Sequence, residues 1–305
     1  MLPLLINQLA PASPLQAGIA VGRRQLCAVT IESKGSGWSV RNIHRQDLAV
    51  PLFSGAPTTA ALGALDAALQ AISRELDAQF ALIHVALPDS VIRSSVFELD
   101  ELPKAAAQRT DLMRWRFAQS WQRPEESLEC RGQDLGNADG KRLLLAQAGD
   151  RAWSDCVKQA LERAGQMPAS MNAALAYRYN RFQHQFAPAA GAMLSLDPDG
   201  WTLAYWDEVR RLRHITTRLR AGDSSDELGG LADDVVRNVQ SGAIGKAERL
   251  YLSGDSQEML DLSARLEGKL GIPVTRLHAV DDVAGNTAWA REGMAPLALA
   301  AAMSS

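Results

Sequence analysis

The chain has 305 residues, 47% of them hydrophobic and 22% charged, with a formal net charge of -3. A chain this long buries roughly 75% of the surface it exposes when unfolded, so it folds without metal or disulfide and has material for two linked domains. Its near-neutral balance supplies no field for nucleic acid or an anionic membrane, and Cys27, Cys130 and Cys156 form no Cys-x-x-Cys pair, which excludes a zinc or disulfide framework.

In chain order, Gly18-Ile19-Ala20-Val21-Gly22 leads into the apolar run Leu26 to Ile31. Lys34 to Gly37 then makes a turn, and Trp38 to Ile43 alternates as a returning strand, giving a glycine-punctuated β-meander. Leu62, Leu65, Leu69, Ile72 and Leu76 carry the spacing of an amphipathic helix capped by Thr58 or Thr59, and Phe80 to Leu87 follows as a strand ended by Pro88. Val91 to Leu99 reads as a strand, and Lys104 to Trp121 as a helix with the bulky stripe Leu112, Trp115, Phe117 and Trp121, stopped by Pro124. Strands at Leu128 to Asp134 and Arg142 to Ala148 precede a helix from Asp150 to Ala164 that Gly165 closes. Met171 to Phe182 reads as a further helix, and Phe186 to Gly191 as a hinge.

The second half repeats the theme. Ala192 to Trp206 is strand-like, Asp207-Glu208 turns, and Val209 to Ile215 returns. A helix from Asp226 to Gln240, a strand from Arg249 to Ser253 with Gly254 behind it, a helix from Ser256 to Leu270, a strand from Pro273 to Leu277 and an Ala-rich helix from Met294 to Met303 complete the chain. Two similarly ordered halves of mixed strands and helices predict an α/β duplication, with Ser90 to Gly165 inserted into the first half. No run approaches the ~20 apolar residues of a membrane span, and Met1 to Asn7 is too short and uncharged for a signal peptide, so the chain is expected in the cytoplasm.

No residues outside these elements announce a catalytic constellation. His44, His84, His184, His214 and His278 stand in no ligand spacing, and His84 reads as a satisfied core residue. Neither a Gly-x-Ser-x-Gly elbow nor a Gly-x-x-x-x-Gly-Lys loop occurs. Asp233 and Asp234 diverge by about 100° on a helix and read as surface, and Asp281-Asp282 as a turn.

Several segments taken in order resemble the type IV pilus assembly family PilM. They are Gly-Ile-Ala-Val-Gly at 18–22, Ala-Leu-Pro-Asp-Ser at 86–90, Leu143 to Ala148 with the Asp150 helix, Leu-Tyr-Leu-Ser-Gly at 250–254 and Leu-Gly-Ile-Pro-Val at 270–274. The resemblance covers roughly residues 16–302. The arginine-rich Val209 to Arg213 is most similar to the MSHA-type pilus family MshI, and the cytoplasmic domain of the type II secretion family GspL is similar too.

The resemblance implies an actin/Hsp70-like (ribonuclease H-like) duplicated fold with a nucleotide cleft between its halves. Residues 1–15 are then a tail, 16–89 and 166–187 the first domain, 90–165 the inserted subdomain and 188–305 the second domain. It implies a scaffold rather than an enzyme, peripheral to the inner membrane through a bitopic PilN-like partner, with self-association left open. The cleft would be vestigial and comprise Gly18, Ala20, Gly22, Arg23, Asp197, Gly200, Ser253 and Gly254. Where the family places an acid inside Gly-x-Asp-x-Gly, this chain has Ala20, which cannot order a metal-bound water. In the second hairpin the acidic slot falls on Ser195 in one register and on Asp197 in the other, with Pro198 and Asp199-Gly200 at the turn. No cofactor is therefore required, and ATP binding without hydrolysis is the reading kept open beside an active ATPase and a GspL-type secretion component.

Two groups of residues are candidates for partner binding. Arg211 and Arg213, sharing a strand face, are either a solvated hairpin or a contact for an acidic partner or lipid headgroup. Trp115 and Trp121 either pack a core or border the groove in which PilM-like proteins take an extended peptide resembling Ile-Asn-Leu-Leu-Pro. The chain's own Leu5 to Pro11 is loosely similar to that motif and a candidate competitor for the groove.

Overall fold

The computed structural model describes residues 15–34, 37–53, 56–76, 82–197, 200–219, 227–240, 247–254, 256–278, 283–284 and 294–303. The first half opens with β1 (Leu15–Val21), β2 (Gln25–Lys34) and β3 (Gly37–Asp47), the expected meander. Helix α1 (Thr59–Glu75) begins where the Thr58 hydroxyl accepts the Ala61 N–H at 3.2 Å, and β4 (Leu82–Leu87) follows it. An insertion then builds its own sheet from β5 (Ile92–Leu99), helix α2 (Ala106–Trp121), β6 (Leu128–Ala138) and β7 (Lys141–Asp150). Helix α3 (Arg151–Arg163), capped by Asp150, returns the chain to the first core. There Trp153, Val157, Ala160 and Leu161 pack in the same cluster as Leu65 and Leu69 of α1. The stretch after Asp150, grouped above with the insertion, thus packs with the first half, because α3 turns its apolar face to that sheet.

Strand β8 (Pro168–Ala173) closes the first sheet beside β4, and helix α4 (Ala174–Phe182) leads out of it. The expected helix from Met171 is therefore split at Ala173. Parallel pairing of Val85 with Met171 and of Leu87 with Ala173 outweighs the helical spacing of the apolar residues. The second half comprises β9 (Gly191–Asp197), β10 (Gly200–Trp206), β11 (Leu212–Leu219), α5 (Glu227–Gln240), β12 (Arg249–Ser253), α6 (Ser256–Leu270) and β13 (Val274–Arg276). Ala192 to Trp206 is two strands rather than one. Every described position of β9 and β10 is buried, so no in–out alternation marks the turn between them.

The two main sheets share one topology. In the first the order is β3-β2-β1-β4-β8, and in the second β11-β10-β9-β12-β13. Each is an antiparallel three-strand meander whose first strand carries the next strand parallel beside it. The short β14 (Val283–Ala284) extends the first sheet at β3, and the alanine helix α7 (Ala295–Ala302) packs onto β1 and β2. Between the halves lies a third core that joins Ala20, Ala174, Met193, Tyr251 and α7. Helices α4 and α7 thus occupy the seam, and α4 carries the first half's end into the second.

Candidate functional site

Ala20 of β1, Ala86 of β4, Met193 of β9 and Tyr251 of β12 share the core between the halves, and open α/β sheets ordinarily bind ligands beyond the carboxyl ends of their strands. Each predicted cleft residue can be placed on that frame. Gly18 and Ala20 lie on one face of β1, and Gly18 meets α7 so closely that an added Cβ would stand 1.9 Å from the Ala298 carbonyl oxygen. Gly22 is similarly tight, with Met294 Sδ at 2.8 Å from its built Cβ position. Ala20 is fully buried in the apolar core with Met294 and Ala298. Arg23 and Arg24 at the hairpin tip are exposed, and their carbonyls accept from Leu52 and Leu48 N–H at 2.7 and 2.9 Å. Gly254 packs against Leu196, 2.6 Å from its built Cβ position, while Ser253 and Gly200 are buried. Pro198, Asp199 and Asp255 lie outside the described residues.

The centre of the seam holds a buried charge network. Asp197 pairs with the Arg178 guanidinium at 2.8 Å, and Arg178 also donates to the Ser195 hydroxyl. Both alternatives for the second acidic slot therefore point the same way and hold one arginine. Asp89, just beyond β4, accepts the Leu175 N–H at 2.9 Å and so caps α4, whose own N-cap position, Ala173, makes no side-chain bond. Its second oxygen has no hydrogen-bond partner among the described residues. Burial and the neighbouring Asp197 carboxylate push the Asp89 carboxyl up to about 7, against the pull of the Leu175 N–H, the Arg178 charge and the Thr202 hydroxyl. Sequence reading passed over Asp89 and Arg178. Their signal was an acid directly after a strand-ending proline, and an arginine between Tyr177 and Phe182 on the apolar face of a helix.

His84 is buried as expected but only half satisfied, since its Nε2 has no hydrogen-bond partner among the described residues. Its Nδ1 meets the Ser170 hydroxyl at 2.8 Å, and burial lowers its pKa. Asp233 and Asp234 pair with Lys269 and Arg237 at the surface, and Asp281-Asp282 lies outside the described residues. Among the described residues no three His, Cys, Asp or Glu side chains converge to hold a metal ion, and no helix is long and apolar enough to cross a membrane.

A second concavity opens on the other side of α4. Its volume is about 340 Å³, and its walls are the inserted sheet (Ser94, Arg131, Gln147), β8 and α4 (Asn172, Leu175, Tyr179, Asn180) and β11 (Leu212, Ile215). A shallower recess continues it along Arg131, Gln147 and Asn172 towards Glu129 and Met171. Neither Trp115 nor Trp121 lines this groove. Trp115 is 52% exposed on α2, whereas Trp121 packs partly into the insertion's core with the Arg93 guanidinium 4.7 Å above its ring. Arg211 and Arg213 meet partners within the molecule. Arg211 donates to the Asn137 carbonyl and pairs with Asp207 at 3.3 Å, and Arg213 pairs with Asp139 at 2.6 Å and Glu98 at 3.5 Å. The tail at Leu5 to Pro11 lies outside the described residues.

No protein-family model matches the sequence, and no curated protein does. Solved structures do. A PilM–PilN type IV pilus biogenesis complex is similar over 94% of this chain and 97% of its own, at 14% identity and a TM-score of 0.74. A Bacteroides thetaiotaomicron protein with an actin-like ATPase fold is similar over 95% of this chain and 96% of its own, at 9% identity and 0.58. The fold is actin-like. The cytoplasmic domain of EpsL, an inner-membrane component of the type II secretion system of Vibrio cholerae, matches 78% of this chain and 81% of its own at 12% identity and a TM-score of 0.49.

An actin-like cleft implies Mg–nucleotide, and the carboxylates of the described seam that bear on such a group are Asp89 and Asp197. Magnesium holds its waters through carboxylates, and phosphates need free donors. Ala20 contributes a buried methyl group, the carboxylate of Asp197 is already matched by Arg178, and Arg23 stands out in solvent.

Proposed function

We propose that this chain is a non-hydrolysing adaptor of a type IV, MSHA-like pilus platform, peripheral to the inner membrane on its cytoplasmic side. It takes the cytoplasmic N-terminal segment of a PilN-like bitopic protein into the groove between the inserted sheet and α4. The observation that carries this reading is the groove itself. At about 340 Å³ it has room for a few side-chain anchors of an extended segment, and it combines apolar Leu175, Leu212 and Ile215 with the amides of Gln147, Asn172 and Asn180. Such amides both donate and accept, and so match a peptide backbone while the apolar walls select its side chains. Likeness to a chain of a solved PilM–PilN complex supports a PilN-like occupant. The buried Arg178–Asp197 pair supports the pseudo-ATPase part of the reading.

A labelled synthetic peptide containing Ile-Asn-Leu-Leu-Pro, titrated into the full chain by fluorescence anisotropy, tests this. The wild-type protein is expected to bind it in the micromolar range. Ala176→Trp, which fills the groove, should weaken binding at least about tenfold, the ~1.4 kcal/mol of a lost anchor. Equal affinity of both proteins would place the peptide elsewhere, and phosphate release from ATP by the wild-type chain would make it an enzyme.

A further inference from the structure

We propose that the guanidinium of Arg178 is the resident cation of the cleft, which ties the two halves of the molecule together where the fold would otherwise admit Mg–nucleotide, so that the interdomain angle is set without nucleotide. The inference concerns the seam and not the groove, and it would survive loss of the adaptor reading.

Three observations lead to it. The first is placement. Arg178 lies on α4, the helix that leaves the first sheet, whereas Asp197 and Ser195 belong to β9 of the second, so their contacts cross from one half to the other. The second is enclosure. Arg178 is 5%, Asp197 9% and Asp89 4% exposed, and charges so deeply buried persist only when matched. One permanent cation meets Asp197 directly, while Asp89 caps α4 from the first half. Arginine suits the post because it stays charged at every physiological pH and presents a planar fork of donors, which here reaches a carboxylate and a hydroxyl at once. The third is the surroundings. The fully buried Ala20 of the first hairpin adds no oxygen that a metal could use, and α7 seals the β1 face beneath it. A divalent ion entering this space would have to displace a guanidinium already ion-paired with Asp197 and hydrogen-bonded to Ser195.

Thermal melting of the full chain tests the proposal, using the wild type, Arg178→Met and the double variant Arg178→Met/Asp197→Asn, each with and without millimolar Mg–ATP. Removing only the cation strands a buried carboxylate, so Arg178→Met should melt roughly 5 °C or more below the wild type. The double variant has no charge to strand and should regain most of that loss. The wild-type melting point should not move with Mg–ATP, because a ligand stabilises only what it binds. A rise of the wild-type melting point in Mg–ATP, or an Arg178→Met protein that melts with the wild type, overturns the proposal. Should Arg178→Met fail to fold while the double variant folds, the stranded charge is demonstrated directly. Should neither fold, Arg178→Lys decides: it keeps the charge but loses the fork, and melting at the wild-type temperature would refute the two-sided grip.

Discussion

At the scale of single residues, Asp89 makes the clearest statement about pH. Its carboxyl stands near 7 in the folded chain, above the 3.8 of an ordinary aspartate, because it is buried and faces Asp197. Between those values the native state holds a proton that the unfolded chain has released. The stabilisation is therefore complete below about 3.8 and is lost progressively as pH rises through about 7. The groups facing it are Asp197, Arg178 and the Thr202 hydroxyl. Asp89→Asn keeps the oxygen that caps α4 but cannot ionise. Melts at pH 5, 6, 7 and 8 should show the wild type losing stability to this variant as pH rises, by a few kcal/mol at most at about 1.4 kcal/mol per pH unit. Parallel curves would mean that Asp89 is ionised throughout. The meeting of these charges was not legible in the sequence, where Asp89 is one residue of the Ala-Leu-Pro-Asp-Ser segment and Arg178 one arginine in an amphipathic helix. The charges meet only because β4, α4 and β9 converge, and a pairing across 19 residues of helix, connector and strand leaves no periodic trace. Ala20, by contrast, was legible, because the resemblance supplied the Gly-x-Asp-x-Gly pattern against which an alanine stands out.

At the scale of elements, the tightest joint is between β1 and α7. Gly18 lets the alanine helix approach until an added Cβ would lie 1.9 Å from Ala298 O and 2.4 Å from Ala302 N. Both are backbone atoms, so the helix itself must move. Gly18→Ala should cost about 1–3 kcal/mol or more, seen as a lower denaturant midpoint, and should speed amide exchange in 295–302. Gly63→Ala is the informative counterpart. Its Cβ would meet nothing within 4 Å on helix α1, so it should raise stability by up to about 1 kcal/mol. If Gly18→Ala proves neutral, α7 does not bear on β1 as tightly as its geometry states. Element order was readable because α1, α3, α5 and α6 show one apolar face each and β2 to β3 turns on glycine. It failed at β8, where strand pairing overrides a helical pattern, and the apolar pattern alone did not divide β9 from β10, because burial of every described position removes the alternation that reveals strand ends.

At the scale of the whole molecule, Arg211 and Arg213, read from sequence as either a solvated hairpin or a partner contact, act as a staple between regions far apart in the chain. Asp207 organises the β10–β11 turn by accepting the Val209 and Arg211 N–H groups at 3.2 and 2.9 Å. From that turn Arg211 and Arg213 reach Asn137, Asp139 and Glu98 on the inserted sheet. The groove has one wall on that sheet and another on β11, where Leu212 lies between the two arginines, so the staple sets the distance between its walls. Its ion pairs involve Asp139 and Glu98, which are 81% and 52% exposed, and such pairs contribute only about 0–1 kcal/mol each. Arg211→Ala/Arg213→Ala should therefore melt close to the wild type, yet show faster amide exchange in 92–99 and 137–145. Salt screens pairs of this kind, with a Debye length of about 8 Å at physiological strength. Peptide affinity of the wild type should then fall towards that of the double variant as salt is raised, while the variant's affinity stays flat. Unchanged exchange together with equal salt dependence would separate the arginines from the groove and leave its width to packing alone.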